Sequence, residues 1–154
     1  MAKVLVVDSE RCTGCKLCEV VCSVKKERVS DPSRSRIHVL LWETEKGALP
    51  VFCQHCAEPL CALVCPVNAI NREESTGLII PDREICVGCG GCVSVCPMFG
   101  AGFDGREKKA LRCDLCHGDP ACVKYCPSGA LRFVDRDQSE IDKKRAAARK
   151  LYPR

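Results

Sequence analysis

Aromatic residues are scarce in this chain: one Trp, two Tyr and four Phe make up 5% of 154 residues. The length suits one compact domain or two small ones, yet there are few large side chains with which to fill a core. No apolar run approaches the roughly 20 residues needed to span a bilayer. The opening "MAKVLVVDSERC" has neither the long apolar region nor the small-residue cleavage site of an export signal. These absences predict a soluble chain without a membrane span, in a reducing cytoplasm. There is no P-loop and no flavin fingerprint. "GAGFDG" at Gly100 to Gly105 matches G-x-G-x-x-G letter for letter, but a dinucleotide loop follows a hydrophobic strand and opens a helix. This one follows Cys96-Pro97 and leads into "REKKALRC", so it reads as a turn. The tail "KKRAAARK" lacks the aromatic platforms of single-strand binders and reads as a solvated or partner-docking helix, with no nucleic acid expected.

Cysteine, by contrast, is abundant: sixteen residues, far above ordinary usage. In a secreted chain that number would suggest a disulfide scaffold; in a reducing compartment it points to metal. The cysteines fall into four tetrads: Cys12, Cys15, Cys18, Cys22; Cys53, Cys56, Cys61, Cys65; Cys86, Cys89, Cys92, Cys96; Cys113, Cys116, Cys122, Cys126. The first and third follow C-x2-C-x2-C-x3-C, and the other two loosen only the middle gap. Pro66, Pro97 and Pro127 follow three of the closing cysteines, and Ser23 departs from that rule in the first tetrad.

This is the spacing of the bacterial ferredoxin run. A C-x2-C-x2-C loop aims three thiolates at one compact iron–sulfur cube, while the fourth cysteine, expected at the head of a short helix, points away and can complete a neighbouring cube. Gly14, Gly88, Gly90 and Gly91 fall where positive φ would help the loops turn. Zinc also uses C-x2-C pairs, but a zinc site takes two such pairs and gives no reason for the third and fourth cysteines of every module. The formal charge of +4 counts the thiols as neutral; with sixteen thiolates and four cubane cores of about +2 each, it falls to about −4. Basic side chains are therefore partly internal counter-charge.

Between the tetrads, "RIHVLLWE" reads as a strand, "AINREESTGLIIPDREIC" as strand, turn at Glu74 to Gly77 and strand, and "ALRFVD" as a closing strand. The end, "DQSEIDKKRAAARKLYPR", reads as a helix capped by Asp137 or Ser139. His55 and His117 adjoin cluster cysteines, where N–H donation to sulfur could raise a potential, although a backbone-bonded or exposed histidine fits the sequence equally well. His38 reads as structural, and Trp42 and Tyr125 as packing that shields clusters.

The framework, with "CQHCAEPLCALVCP", "CVGCGGCVSVCP" and "LRCDLC" in order, resembles the four-cluster polyferredoxin subunits of multi-subunit oxidoreductases over about residues 1 to 135. Those include the iron–sulfur subunits of DMSO reductase and formate dehydrogenase, and the small electron-transfer subunits of tungsten aldehyde oxidoreductases and of carbon monoxide dehydrogenase and hydrogenase systems. The resemblance implies four 4Fe–4S clusters, with outer tetrads exchanging ligands and inner tetrads doing likewise. One cluster would take Cys12, Cys15, Cys18 and Cys126; the second Cys113, Cys116, Cys122 and Cys22; the third Cys53, Cys56, Cys61 and Cys96; the fourth Cys86, Cys89, Cys92 and Cys65. It implies an α+β fold of two ferredoxin-like domains, with an inner one (50–105) inserted in an outer one (1–49 plus 106–136), and a C-terminal basic helix (137–154).

All-cysteine ligation leaves no iron open to substrate, so the expected role is non-catalytic: single-electron relay between a catalytic subunit and a second redox subunit or carrier. A tungsten or molybdenum pterin enzyme, such as an aldehyde oxidoreductase, is the favoured partner, with hydrogenase or carbon monoxide dehydrogenase as alternatives. Head-to-tail self-association is a further expectation. The competing readings are a free diffusible polyferredoxin and a zinc-stabilised binding module.

Overall fold

The computed structural model describes residues 3–42 and 47–135, so the helix expected over 137–154 lies outside the described residues. In chain order the elements are β1 (Lys3–Val7), α1 (Leu17–Glu27), β2 (Ile37–Trp42), β3 (Gly47–Phe52), α2 (Leu60–Leu63), β4 (Ile70–Arg72), β5 (Ile79–Pro81), α3 (Gly91–Ser94), β6 (Gly102–Asp104), β7 (Lys109–Leu111), α4 (Ala121–Lys124) and β8 (Leu131–Asp135). The strands pair antiparallel into four two-stranded sheets: β1 with β8, β2 with β3, β4 with β5 and β6 with β7. Both ends of the described chain thus meet in one sheet, with Leu5 opposite Phe133 and Val7 opposite Leu131.

The expected strands form. In β2 the period of two sends Ile37 and Val39 inward. The predicted turn is closed by Gly77 N–H donating to the Glu73 carbonyl at 2.8 Å. Strand β3 gave little sequence signal because Pro50 lies within it. It stands opposite Val39, whose own N–H donates instead to Oε1 of the buried Glu19 at 2.6 Å, tying α1 to the sheet. "GAGFDG" contributes β6 and its turn, with Phe103 opposite Ala110, and no helix follows it.

The helices show why Ser23 departs from the Cys-Pro rule. Where the closing cysteine precedes Pro, the helix is four residues long, because proline cannot continue a hydrogen-bonded turn. With Ser23 in place of Pro, α1 runs for 11 residues. Ser23 is fully buried, its hydroxyl donates to the Val20 carbonyl at 2.9 Å, and it accepts the Asp31 N–H at 3.2 Å.

Two apolar clusters lie beneath the sheets. One joins Leu5, Ile37, Val39, Ala48, Phe52 and Leu131 with Cys18, Cys22 and Cys122; the other joins Ile70, Ile79 and Ala110 with Cys92. An ion cluster ties α1 to the segment before β2 and to the β6–β7 hairpin: Arg34 meets Glu27 at 2.9 Å, Asp104 at 2.8 Å and Glu107 at 2.7 Å, while Arg36 also holds Glu27 and Arg83 holds Glu107. Burial raises the Glu27 pKa, but the Arg36 hydrogen bond and the Arg36, Arg34 and Arg83 charges outweigh it and hold the carboxyl below its ordinary value. Among the described residues, no helix is long and apolar enough to cross a membrane.

Candidate metal centres

The third cysteine of every tetrad occupies the second residue of a helix: Cys18 in α1, Cys61 in α2, Cys92 in α3 and Cys122 in α4. The fourth therefore lies within α1 (Cys22), or two residues beyond the end of α2, α3 or α4 (Cys65, Cys96, Cys126), not at a helix head. In each C-x2-C loop the residue before the second cysteine is left-handed: Gly14 at φ 70°, His55 at 48°, Gly88 at 70° and Leu115 at 53°. The backbone N–H groups of His55 and Leu115 bond the thiols of Cys53 and Cys113, so this turn aims donors at sulfur. Sequence showed the turn only where glycine marks it. Of the four glycines expected to need it, Gly91 does not; it opens α3 without a positive φ.

These loops gather the thiols into four hollows. Cys12, Cys15 and Cys18 share one with Cys126; Cys113, Cys116 and Cys122 share another with Cys22. Cys53, Cys56 and Cys61 line a third with Cys96, and Cys86, Cys89 and Cys92 a fourth with Cys65. Their other walls are largely apolar, as with Val39, Pro50 and Leu131 around the first. All sixteen cysteines are free thiols.

The spacing of the sulfurs separates a cluster from a single ion. Among the described residues, the one trio of ligand-type side chains with donor atoms all within 4.8 Å is Glu27, Asp104 and Glu107, and Arg34 already occupies it. No three cysteine sulfurs approach that closely. A zinc ion with Zn–S of about 2.3 Å needs its sulfurs roughly 4 Å apart, whereas sulfurs around a cube stand farther apart.

The electrostatics agree. Burial, with the neighbouring Glu19 charge behind it, pushes the Cys18 thiol up to about 12. Burial likewise pushes Cys122 to about 12 and Cys53 to about 11, and raises Cys113 strongly. Thiolates at these positions need a bound cation to hold them, so a soft, multiply charged metal group fits this donor set. Two sulfurs also receive peptide donors: Ala69 N–H reaches Cys65 Sγ at 3.2 Å and Arg36 N–H reaches Cys22 Sγ at 3.3 Å.

The histidines take their plainer roles. His55 Nδ1 accepts the Ile79 N–H at 2.9 Å, so it has no proton to give Cys53 Sγ, 3.8 Å away. His117 is 85% exposed beside Asp114, and burial lowers the pKa of His38, keeping it neutral. Tyr125 is 61% exposed and covers little, while Trp42 packs its ring on Gly47. Glu19, Arg34 and Arg112 were missed by sequence reasoning, since nothing local distinguishes them from the other charged residues.

Four all-cysteine hollows, each joining three thiols of one tetrad to the last of another, define the iron–sulfur class of proteins. Residues 45–136 match the model of the 4Fe-4S dicluster domain and residues 5–25 that of the 4Fe-4S binding domain. The chain is 37% identical over 123 residues to the aliphatic sulfonate oxidoreductase polyferredoxin-like subunit of Pyrococcus furiosus, covering 79% of this chain and 70% of that one. It is 34% identical over 153 residues to the thiosulfate reductase electron transfer subunit PhsB of Salmonella typhi, covering 91% and 79%. The fold is similar to a chain of the benzoyl coenzyme A reductase complex BamBC, with a TM-score of 0.53, 23% identity and coverage of 98% and 92%. The protein belongs to the 4Fe–4S dicluster ferredoxin family.

Proposed function

We propose that this chain is the electron-transfer subunit of a multi-subunit oxidoreductase, holding four 4Fe–4S clusters. Cys12, Cys15, Cys18 and Cys126 would hold one; Cys113, Cys116, Cys122 and Cys22 the second; Cys53, Cys56, Cys61 and Cys96 the third; Cys86, Cys89, Cys92 and Cys65 the fourth. The observation that carries this reading is the grouping of three thiols from one tetrad with the last from another around each hollow. When bound, such clusters accept and give single electrons without bond chemistry.

The chain's own residues supply ligation, shielding and access. Four thiols per hollow leave no ligand position for substrate. Apolar walls keep water off most of each site, and the exposed Cys15, Cys56 and Cys89 mark the edges where a partner can approach. The chain is read as a nested domain arrangement, an inner unit over 50–105 set into an outer one over 1–49 plus 106–136; the two apolar clusters follow that division except that Phe52 packs with the outer cluster and Ala110 with the inner one. Ligand exchange between distant tetrads then fastens each unit.

The favoured partner is a catalytic subunit of the tungsten or molybdenum pterin class, with a second redox subunit or carrier at the other end and the complex in a reducing cytoplasm. The test is iron and acid-labile sulfide on anaerobically purified protein, followed by EPR after dithionite and affinity isolation from the native cell. About sixteen irons and sixteen sulfides, with a large tungsten- or molybdenum-containing subunit co-purifying, is the expected result. Zinc without sulfide overturns the cluster reading. Loaded protein that isolates alone is a free carrier, and concentration-dependent association of the pure chain makes it its own neighbour.

A further inference from the structure

Arg112 is buried, with 5% of its surface exposed. Burying a guanidinium without a compensating anion is costly, so its partners need to be found. Its Nη1 donates to the Leu111 carbonyl at 2.8 Å and its Nη2 to the Cys92 carbonyl at 3.4 Å. No carboxylate pairs with it among the described residues, although Arg34, Arg36, Arg83 and Arg106 all have acidic partners. Two neutral carbonyls leave the charge itself uncompensated.

The missing anion lies in the two inner thiol sets. Arg112 lines the hollow of Cys53, Cys56, Cys61 and Cys96. Through its contact with Cys92 it also adjoins the set of Cys86, Cys89, Cys92 and Cys65. Of the four hollows, the one that the Arg112 side chain lines is this third one, and its bond to Cys92 reaches the fourth. Neither outer hollow has Arg112 in its lining.

We infer that Arg112 is the fixed counter-charge of the two inner sites, setting their reduction potentials above the values their thiolates alone would give. The inference rests on the proposed cluster reading. Reduction adds one electron to a site, and a buried cation nearby stabilises the added charge; arginine stays protonated throughout, so no proton accompanies the electron. The outer sites, whose hollows the Arg112 side chain does not line, keep their potentials.

The experiment is an EPR-monitored redox titration of the anaerobically loaded full chain, comparing wild type, Arg112→Gln and Arg112→Lys. Cys56→Ser and Cys89→Ser identify which midpoints belong to the inner sites. In Arg112→Gln, at least a tenfold loss in the reduction equilibrium of the inner sites is expected, a fall of about 59 mV for one electron, with outer midpoints unmoved. Arg112→Lys keeps the charge and should restore most of the shift. If Arg112→Gln fails to load the inner sites while Arg112→Lys loads them at the wild-type potential, the counter-charge role stands. Inner midpoints unchanged in Arg112→Gln, an equal shift of all four sites, or failure of both variants to load would overturn it. Iron and sulfide content of the wild type, measured alongside, tests the cluster reading separately.

Discussion

Replacing Ser23 by proline makes the first tetrad conform to the Cys-Pro rule of the other three, and the structure predicts that this damages the protein. Ser23 is the seventh residue of the 11-residue α1. A proline there removes an interior helical hydrogen bond and drives its ring against the Glu19 carbonyl, a cost of about 3 kcal/mol. It also takes away the hydroxyl that accepts the N–H of the half-buried Asp31, and leaving such a donor unpaired costs up to about 1–3 kcal/mol. Together these come to about 4–6 kcal/mol, a large share of the stability of an ordinary domain. Beyond Ser23 the helix carries Lys25, Lys26 and Glu27, which pair with Asp119 at 3.3 Å, Asp114 at 2.6 Å and Arg34 at 2.9 Å. Unwinding the second half of α1 breaks all three ties and displaces Cys22 from its hollow. The assay is iron and sulfide per chain, with a urea midpoint read from the visible iron–sulfur absorbance under anaerobic conditions. Iron should fall from about sixteen toward about twelve per chain and the midpoint should drop. Ser23→Ala keeps the N–H, so it should retain its iron and lose about 1–3 kcal/mol. Ser23→Pro with full iron and a wild-type midpoint would refute the argument.

Three further outcomes follow from the same geometry. A Cβ at Gly88 would stand 2.2 Å from the Lys108 carbonyl oxygen, whereas one at Gly90 meets nothing within 4 Å. Both have positive φ, so Gly90→Ala should cost about 1 kcal/mol of strain, while Gly88→Ala should cost more and impair loading of the Cys86 site; equal midpoints for the two variants would contradict this. Because the folded-state pKa values of Glu27 and Asp104 are depressed, their contribution is complete above the ordinary carboxylate range and is lost as pH falls through the folded values. The difference in urea midpoint between wild type and Glu27→Gln should therefore be constant near neutrality and shrink in acid, and a gap that widens in acid would show the sign to be wrong. Finally, the scarcity of aromatic residues leaves much of the folding free energy to ligation; complete iron removal should abolish most of the circular dichroism, and near-native spectra of the stripped chain would rule this out.

The local chemistry was legible because ligand spacing and chain punctuation are local. The four tetrads, the turn at Glu74 to Gly77, and the strands at Ile37–Trp42 and Leu131–Asp135 follow from neighbours in sequence. So does the end of each four-residue helix before Pro66, Pro97 and Pro127. Tertiary structure decided what depends on residues far apart. It brings Cys126 to Cys12, Cys15 and Cys18, a grouping that spacing allows but cannot select, because the choice is made by the pairing of β1 with β8 and by the packing beneath it. It holds His55 and Leu115 in the left-handed turn that glycine advertises elsewhere. It also separates otherwise similar arginines, placing Arg34 among carboxylates and Arg112 beside the thiol-lined hollows. A charge carries no mark of its partner in the sequence; burial and the approach of distant segments assign that partner.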